Sequence, residues 1–141
     1  MTVSNKDVVL QADLDISSSS GSMHASIGQL RHISGSFSWM PHKVREAINE
    51  HARNQGQAMD VIYSYDTPIA VRIGYGPWIV PDVSYSVTTG KHQYLVRHHM
   101  DNYVDVPYDA TIGDIEGILD GYLEYSRASS TMGRGPRTRR D

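Results

Sequence analysis

Hydrophobic and polar residues alternate most strictly in the middle of the chain. Val61, Tyr63 and Tyr65, then Ile69, Val71 and Ile73, then Val83, Tyr85 and Val87 hold odd positions, while Asp60, Ser64, Arg72, Ser84, Ser86 and Thr88 stand opposite. A period of two over residues 58–88 predicts a β meander, because an antiparallel sheet with one wet face alternates in this way. Gly74-Tyr75-Gly76-Pro77 makes a hairpin turn into the short strand Trp78-Ile79-Val80, and Pro81-Asp82 turns the chain again. Ahead of the meander, Pro41 suits a first helical turn. Val44, Ala47, Ile48, His51, Ala52 and Gln55 then follow at spacings of three and four until Gly56 stops the helix.

The flanks read less simply. Val8, Leu10, Ala12, Leu14 and Ile16 hold even positions with Gln11, Asp13 and Asp15 between them, which predicts a half-buried strand. Ser17 to Ser22 then reads as a flexible linker that lets this strand dock on its own sheet, on a second copy or on another protein. Residues 27–37 form a short strand or extended segment. Thr88 or Thr89 caps a helix from about Gly90 to Met100 with Lys91 and His92 in its first turn, unless Thr89-Gly90 is a hairpin turn. Thr111, with Asp114 three residues on, starts a last helix whose apolar face is Ile112, Ile115, Ile118, Leu119, Tyr122 and Leu123. Gly113, Gly117 and Gly121 recur in it at a spacing of four, and each costs about 1 kcal/mol against alanine. Such a ridge suits a closely approaching backbone, from this chain or a second copy; the alternative is a weak, fraying helix. The expected fold class is α+β, an antiparallel β meander with two to three amphipathic helices packed on one face. Residues 1–22 are a strand plus linker, 23–125 a single domain and 126–141 a disordered basic tail.

Charge sharpens that division. Of 16 acidic residues 15 lie within residues 1–125, which hold only 8 of the 13 lysines and arginines, so an acidic body carries a basic tail. The tail arginines Arg134, Arg137, Arg139 and Arg140 suit phosphates or an acidic surface, including the chain's own body. A mean hydropathy of −0.43 predicts a soluble protein, and no apolar run approaches the roughly 20 residues that cross a bilayer. Zero cysteines exclude disulfides and thiolate chemistry.

Candidate chemistries are thinly supported. His92 and His99 lie seven apart, about 10 Å along a helix, and no histidine pair has zincin spacing, so no metal is expected. Ser64 or Ser86 can be assembled with His92 and Asp66 or Asp82, yet no strained elbow presents either serine, and no catalytic residues or cofactors are expected. Most of the nine tyrosines fall on core-facing strand positions; Tyr75, Tyr103 and Tyr108 lie in turns and are the expected exposed set.

Three runs carry a resemblance: Tyr63-Ser64-Tyr65-Asp66-Thr67-Pro68-Ile69-Ala70, Trp78-Ile79-Val80-Pro81-Asp82-Val83, and Tyr85-Ser86-Val87-Thr88-Thr89-Gly90-Lys91-His92-Gln93. In order and spacing they resemble a family of small hypothetical proteins of actinobacteriophages without assigned function. The resemblance covers about residues 27–100 and implies an origin rather than an activity. The expected function is that of a non-enzymatic phage accessory protein, acting in the host cytoplasm by binding a host or phage protein. The alternatives are nucleic-acid binding through the arginine tail and a minor virion component. Expected binding residues are Thr88, Thr89, Lys91 and His92, the glycines Gly113, Gly117 and Gly121, and Arg134, Arg137, Arg139 and Arg140; a homo-oligomer is an open alternative.

Overall fold

The computed structural model describes residues 3–35 and 39–131, with side chains to residue 125. Among them the elements run α1 (Asn5–Asp13), β1 (Ser18–Ser19), β2 (Met23–Leu30), α2 (His42–Gln55), β3 (Met59–Ser64), β4 (Thr67–Ile73), β5 (Trp78–Asp82), α3 (Val87–His99), β6 (Tyr103–Pro107) and α4 (Ile112–Thr131). The six strands form one sheet in chain order. Each neighbouring pair is antiparallel except β5 and β6, which are parallel and joined by α3 as the crossover helix.

The fold is α+β as expected, and the meander is present in β3, β4 and β5. The helices differ from expectation. There are four among the described residues, and they cover both faces of the sheet. Met59, Val61, Val71, Ile73 and Ile79 pack with α2 and α4. Ile62, Ala70, Trp78 and Val80 pack with α1 and α3. The polar positions of β3 and β4 are therefore not wet: Ser64 is fully buried and Asp60 is 9% exposed. A bulge between β3 and β4 leaves Ile69 without a partner residue, and Ile69 and Ala70 join the same core.

The first segment is a helix, not a strand. Ser4 caps it by accepting from Asp7 N, and Val8, Val9 and Ala12 are its buried residues. Leu10, Leu14 and Ile16, on which the alternating pattern rested, are exposed. The helix closes in a Schellman arrangement: Ile16 N donates to Gln11 O at 2.8 Å and Asp15 N to Ala12 O at 3.0 Å, with Asp15 left-handed at φ 65. The serine-rich segment is no linker, since Ser18 and Ser19 form β1 against Ala25 and His24.

The remaining differences are local. Gly56, left-handed at φ 64, ends α2 as expected. The expected strand at Val83 to Val87 is absent: α3 begins at Val87, capped by Ser86 rather than Thr88 or Thr89. Sequence reading missed β6 entirely. Thr111 and Asp114 form the expected reciprocal cap at 3.0 and 3.1 Å, and α4 runs on to Thr131, past the expected boundary at residue 125. Residues 132–141, with the tail arginines, lie outside the described residues.

Among the described residues no backbone approaches the glycine ridge. A Cβ at Gly117 or Gly121 would meet nothing within 4 Å, and one at Gly113 only Thr111 Oγ1 at 3.7 Å. Gly117→Ala is therefore expected to raise stability by about 1 kcal/mol, a few degrees in a thermal melt. A lowered melting temperature would refute this.

Candidate binding surface

Two of the three sequence runs, residues 63–70 and 85–93, meet in one buried polar node. Ser64 closes β3, and its Oγ lies 2.7 Å from His92 Nδ1 and 3.0 Å from Thr89 Oγ1 on α3. Ser86 Oγ accepts from Thr89 N at 3.1 Å, and Gln93 Nε2 donates to Val83 O at 3.1 Å. The second ring nitrogen of His92 faces an amide, Asn5 Nδ2 on α1 at 3.4 Å, rather than a carboxylate. Asn5 Oδ1 in turn accepts from Ser20 and Ser22. Ser64 has no exposed area and His92 only 4%. This is the serine and histidine that catalysis would draw on, and its geometry joins α1, β3 and α3.

Thr89 and His92, expected as binding residues, thus point inward. Thr88 and Lys91 are exposed. Lys91 lies on one helical stripe with Val87, Tyr94 and His98, whose last two rings stack at 5.3 Å. Tyr65, expected in the core, is 54% exposed in the β3–β4 turn at φ 54, with its ring centroid 6.0 Å from that of His92. The α3 residues and the exposed glycines of α4 belong to opposite faces of the sheet, so they form no common site.

A second polar centre surrounds Arg72 on β4. Its Nε donates to Asp60 Oδ2 at 2.8 Å across the β3–β4 pair, and Asp60 Oδ1 accepts from Gly28 N at 2.6 Å. Gly28 is left-handed at φ 68 where the β2 register shifts. Arg72 Nη2 also meets Asp15 and donates to Ala12 O at 3.3 Å, while Asp13 lies 4.0 Å from Nη1. The guanidinium sits 4.5 Å from the Trp78 ring centroid, and Trp78 Nε1 donates to Asp13 Oδ1 at 3.2 Å. Burial pushes the Asp13 carboxyl above its ordinary range, reinforced by Asp101 and opposed by the Trp78 hydrogen bond.

Two clefts open on either side of the β4–β5 hairpin. One, of about 480 Å³, exposes the Arg72 centre and adds Asp101 and Asn102. The other, of about 440 Å³, lies between α2, α4 and the hairpin, with Ile73, Pro77, Ile79, Leu119 and Leu123 on its walls and His51, Glu116 and Asp120 at its rim. Gln57, Gly74, Tyr75 and Gly76 line both. Tyr75, at the hairpin tip, is fully exposed. Sequence reading placed Tyr75 outside but did not find the clefts, because neither is local in sequence. Among the described residues no three His, Asp or Glu side chains are arranged to hold a metal ion, and no helix is long and apolar enough to cross a membrane.

The chain belongs to a family of unknown function, DUF8033, which matches residues 25–108, more than half of its length. That span runs from β2 to β6 and leaves out α1 and α4. No curated protein and no solved structure matches the chain.

Two outcomes follow from the polar centres. Replacing Arg72 with Met strands Asp60, Asp13 and Asp15 together and is expected to cost about 3 kcal/mol in denaturant unfolding; an unchanged midpoint would refute the clamp. Burial lowers the pKa of His92, and of His24 and His51. The unfolded chain therefore takes up protons that the folded chain refuses. Stability is full above the ordinary histidine pKa of about 6.5 and is lost as pH falls through it. Urea midpoints should fall from pH 7.5 to about 5.5, and a flat profile would contradict this.

Proposed function

We propose that the chain is a non-enzymatic accessory protein of bacteriophage origin that acts in the host cytoplasm by binding a host or phage protein. The observation that carries this reading is Tyr75, fully exposed at a hairpin tip between two clefts. An aromatic ring presented beside concave, half-apolar walls is the kind of anchor protein interfaces use. The buried Ser64–His92 pair supports a non-enzymatic reading, since a hydroxyl without exposed area has no route to a substrate. Phage origin rests on the resemblance of the three sequence runs.

The tail arginines favour a second reading, nucleic-acid binding. Binding to DNA or RNA that weakens steeply with salt, and is lost when Arg134, Arg137, Arg139 and Arg140 become serine, would support it. A minor virion component is distinguished by mass spectrometry of purified particles.

A pull-down from host lysate with the tagged full chain tests the leading reading. A stoichiometric protein partner is expected, and its recovery should drop for Tyr75→Ala, a surface change that leaves the melting temperature unaltered. Recovery of no partner would sink it.

A further inference from the structure

Resting on the protein-binding reading, we propose that the groove between α2, α4 and the β4–β5 hairpin binds a basic linear segment of a partner protein, seating an apolar side chain next to Lys or Arg. Three features of the groove select this chemistry. Its floor and walls are apolar, from Ile73, Ile79, Leu119 and Leu123, and an aliphatic side chain fills such a space. Its rim is acidic. Glu116 and Asp120 lie one helical turn apart on α4, and no lysine or arginine is among the described lining residues. Both carboxylates are exposed and both act on His51, where their charge opposes the lowering of its pKa by burial. The third feature is continuity of charge. Across Tyr75 the second cleft sets four carboxylates, Asp13, Asp15, Asp60 and Asp101, against one cation among its described lining residues, Arg72, which pairs with the first three, so the cleft keeps an excess of negative charge.

An extended segment laid over the hairpin tip would meet carboxylates on both sides of Tyr75, and Tyr75 would stack on its guanidinium or aliphatic groups. An acidic ligand or a nucleic-acid backbone would meet repulsion at each of these points.

The test uses the full chain and a labelled six-residue peptide alternating arginine and leucine, followed by fluorescence anisotropy. Wild type should bind, and the double variant Glu116→Gln, Asp120→Asn should bind about tenfold more weakly with an unchanged melting temperature. Tyr75→Ala should weaken it too. Equal affinity for the double variant, or for a peptide with glycine in place of leucine, would overturn the proposal. So would an affinity that rises when Arg134, Arg137, Arg139 and Arg140 are changed to serine, since the chain's own tail would then be the occupant. The pull-down separates the two levels of the argument. A partner recovered equally by wild type and the double variant removes the groove and leaves the protein-binding reading standing; no partner with either removes the reading itself.

Discussion

The guanidinium of Arg72 is the constraint around which this fold is arranged. A charge held on a central strand with little exposure is costly unless carboxylates and hydrogen-bond acceptors surround it. The chain supplies them from three directions: Asp60 from the neighbouring strand, Asp15 and the Ala12 carbonyl from the end of α1, and the Trp78 ring from β5. The left-handed residue that closes α1 is an aspartate where glycine is usual, because this position must deliver a carboxylate to Arg72 as well as turn the chain. The N-terminal helix is thereby fixed to the sheet by the same ion that threatens the sheet's interior.

That arrangement explains both what the sequence disclosed and what it concealed. The helix at His42 to Gln55, its Gly56 stop and the Thr111–Asp114 cap were legible because each depends on residues three to four apart. The meander was legible from its odd positions. Its even positions misled, since Asp60, Ser64 and Arg72 look like a solvent face and are an interior face instead. The signal that distinguishes the two was present: Asp60 and Arg72 are directly paired across β3 and β4, which is how a buried sheet face satisfies opposite charges. In the first segment, the even-position pattern ignored Val9 and the Ser4 cap with Asp7 three residues on. Strand β6 was hidden because a parallel partner is set by the α3 crossover and not by a turn. The clefts depend on elements far apart in sequence and had no local signature.

Several polar residues of the three runs belong to the interior. Ser64, Thr89 and His92 hold α3 against β3, and Gln93 ties α3 to the loop before it through the Val83 carbonyl. Tyr65 is exposed and left-handed at the turn between β3 and β4, a conformation that costs a residue with a Cβ about 1 kcal/mol or more.

The family span stops short of both terminal helices, and this has a structural consequence. Residues 25–108 build β2 to β6 with α2 and α3, leaving each sheet face one helix short of its present cover. α1 completes one face through Val8, Val9 and Ala12, and α4 completes the other through Ile115, Ile118 and Leu119. The groove beside Tyr75 needs α4 for Glu116, Leu119 and Asp120, and the second cleft needs the end of α1 for Asp13 and Asp15. Both concave surfaces are therefore joint products of the family core and of flanks outside the match. A change of flanking helix would replace the carboxylates Glu116 and Asp120 on one side and Asp13 and Asp15 on the other, so the charge of both concave surfaces is set largely by the helices that close the sheet.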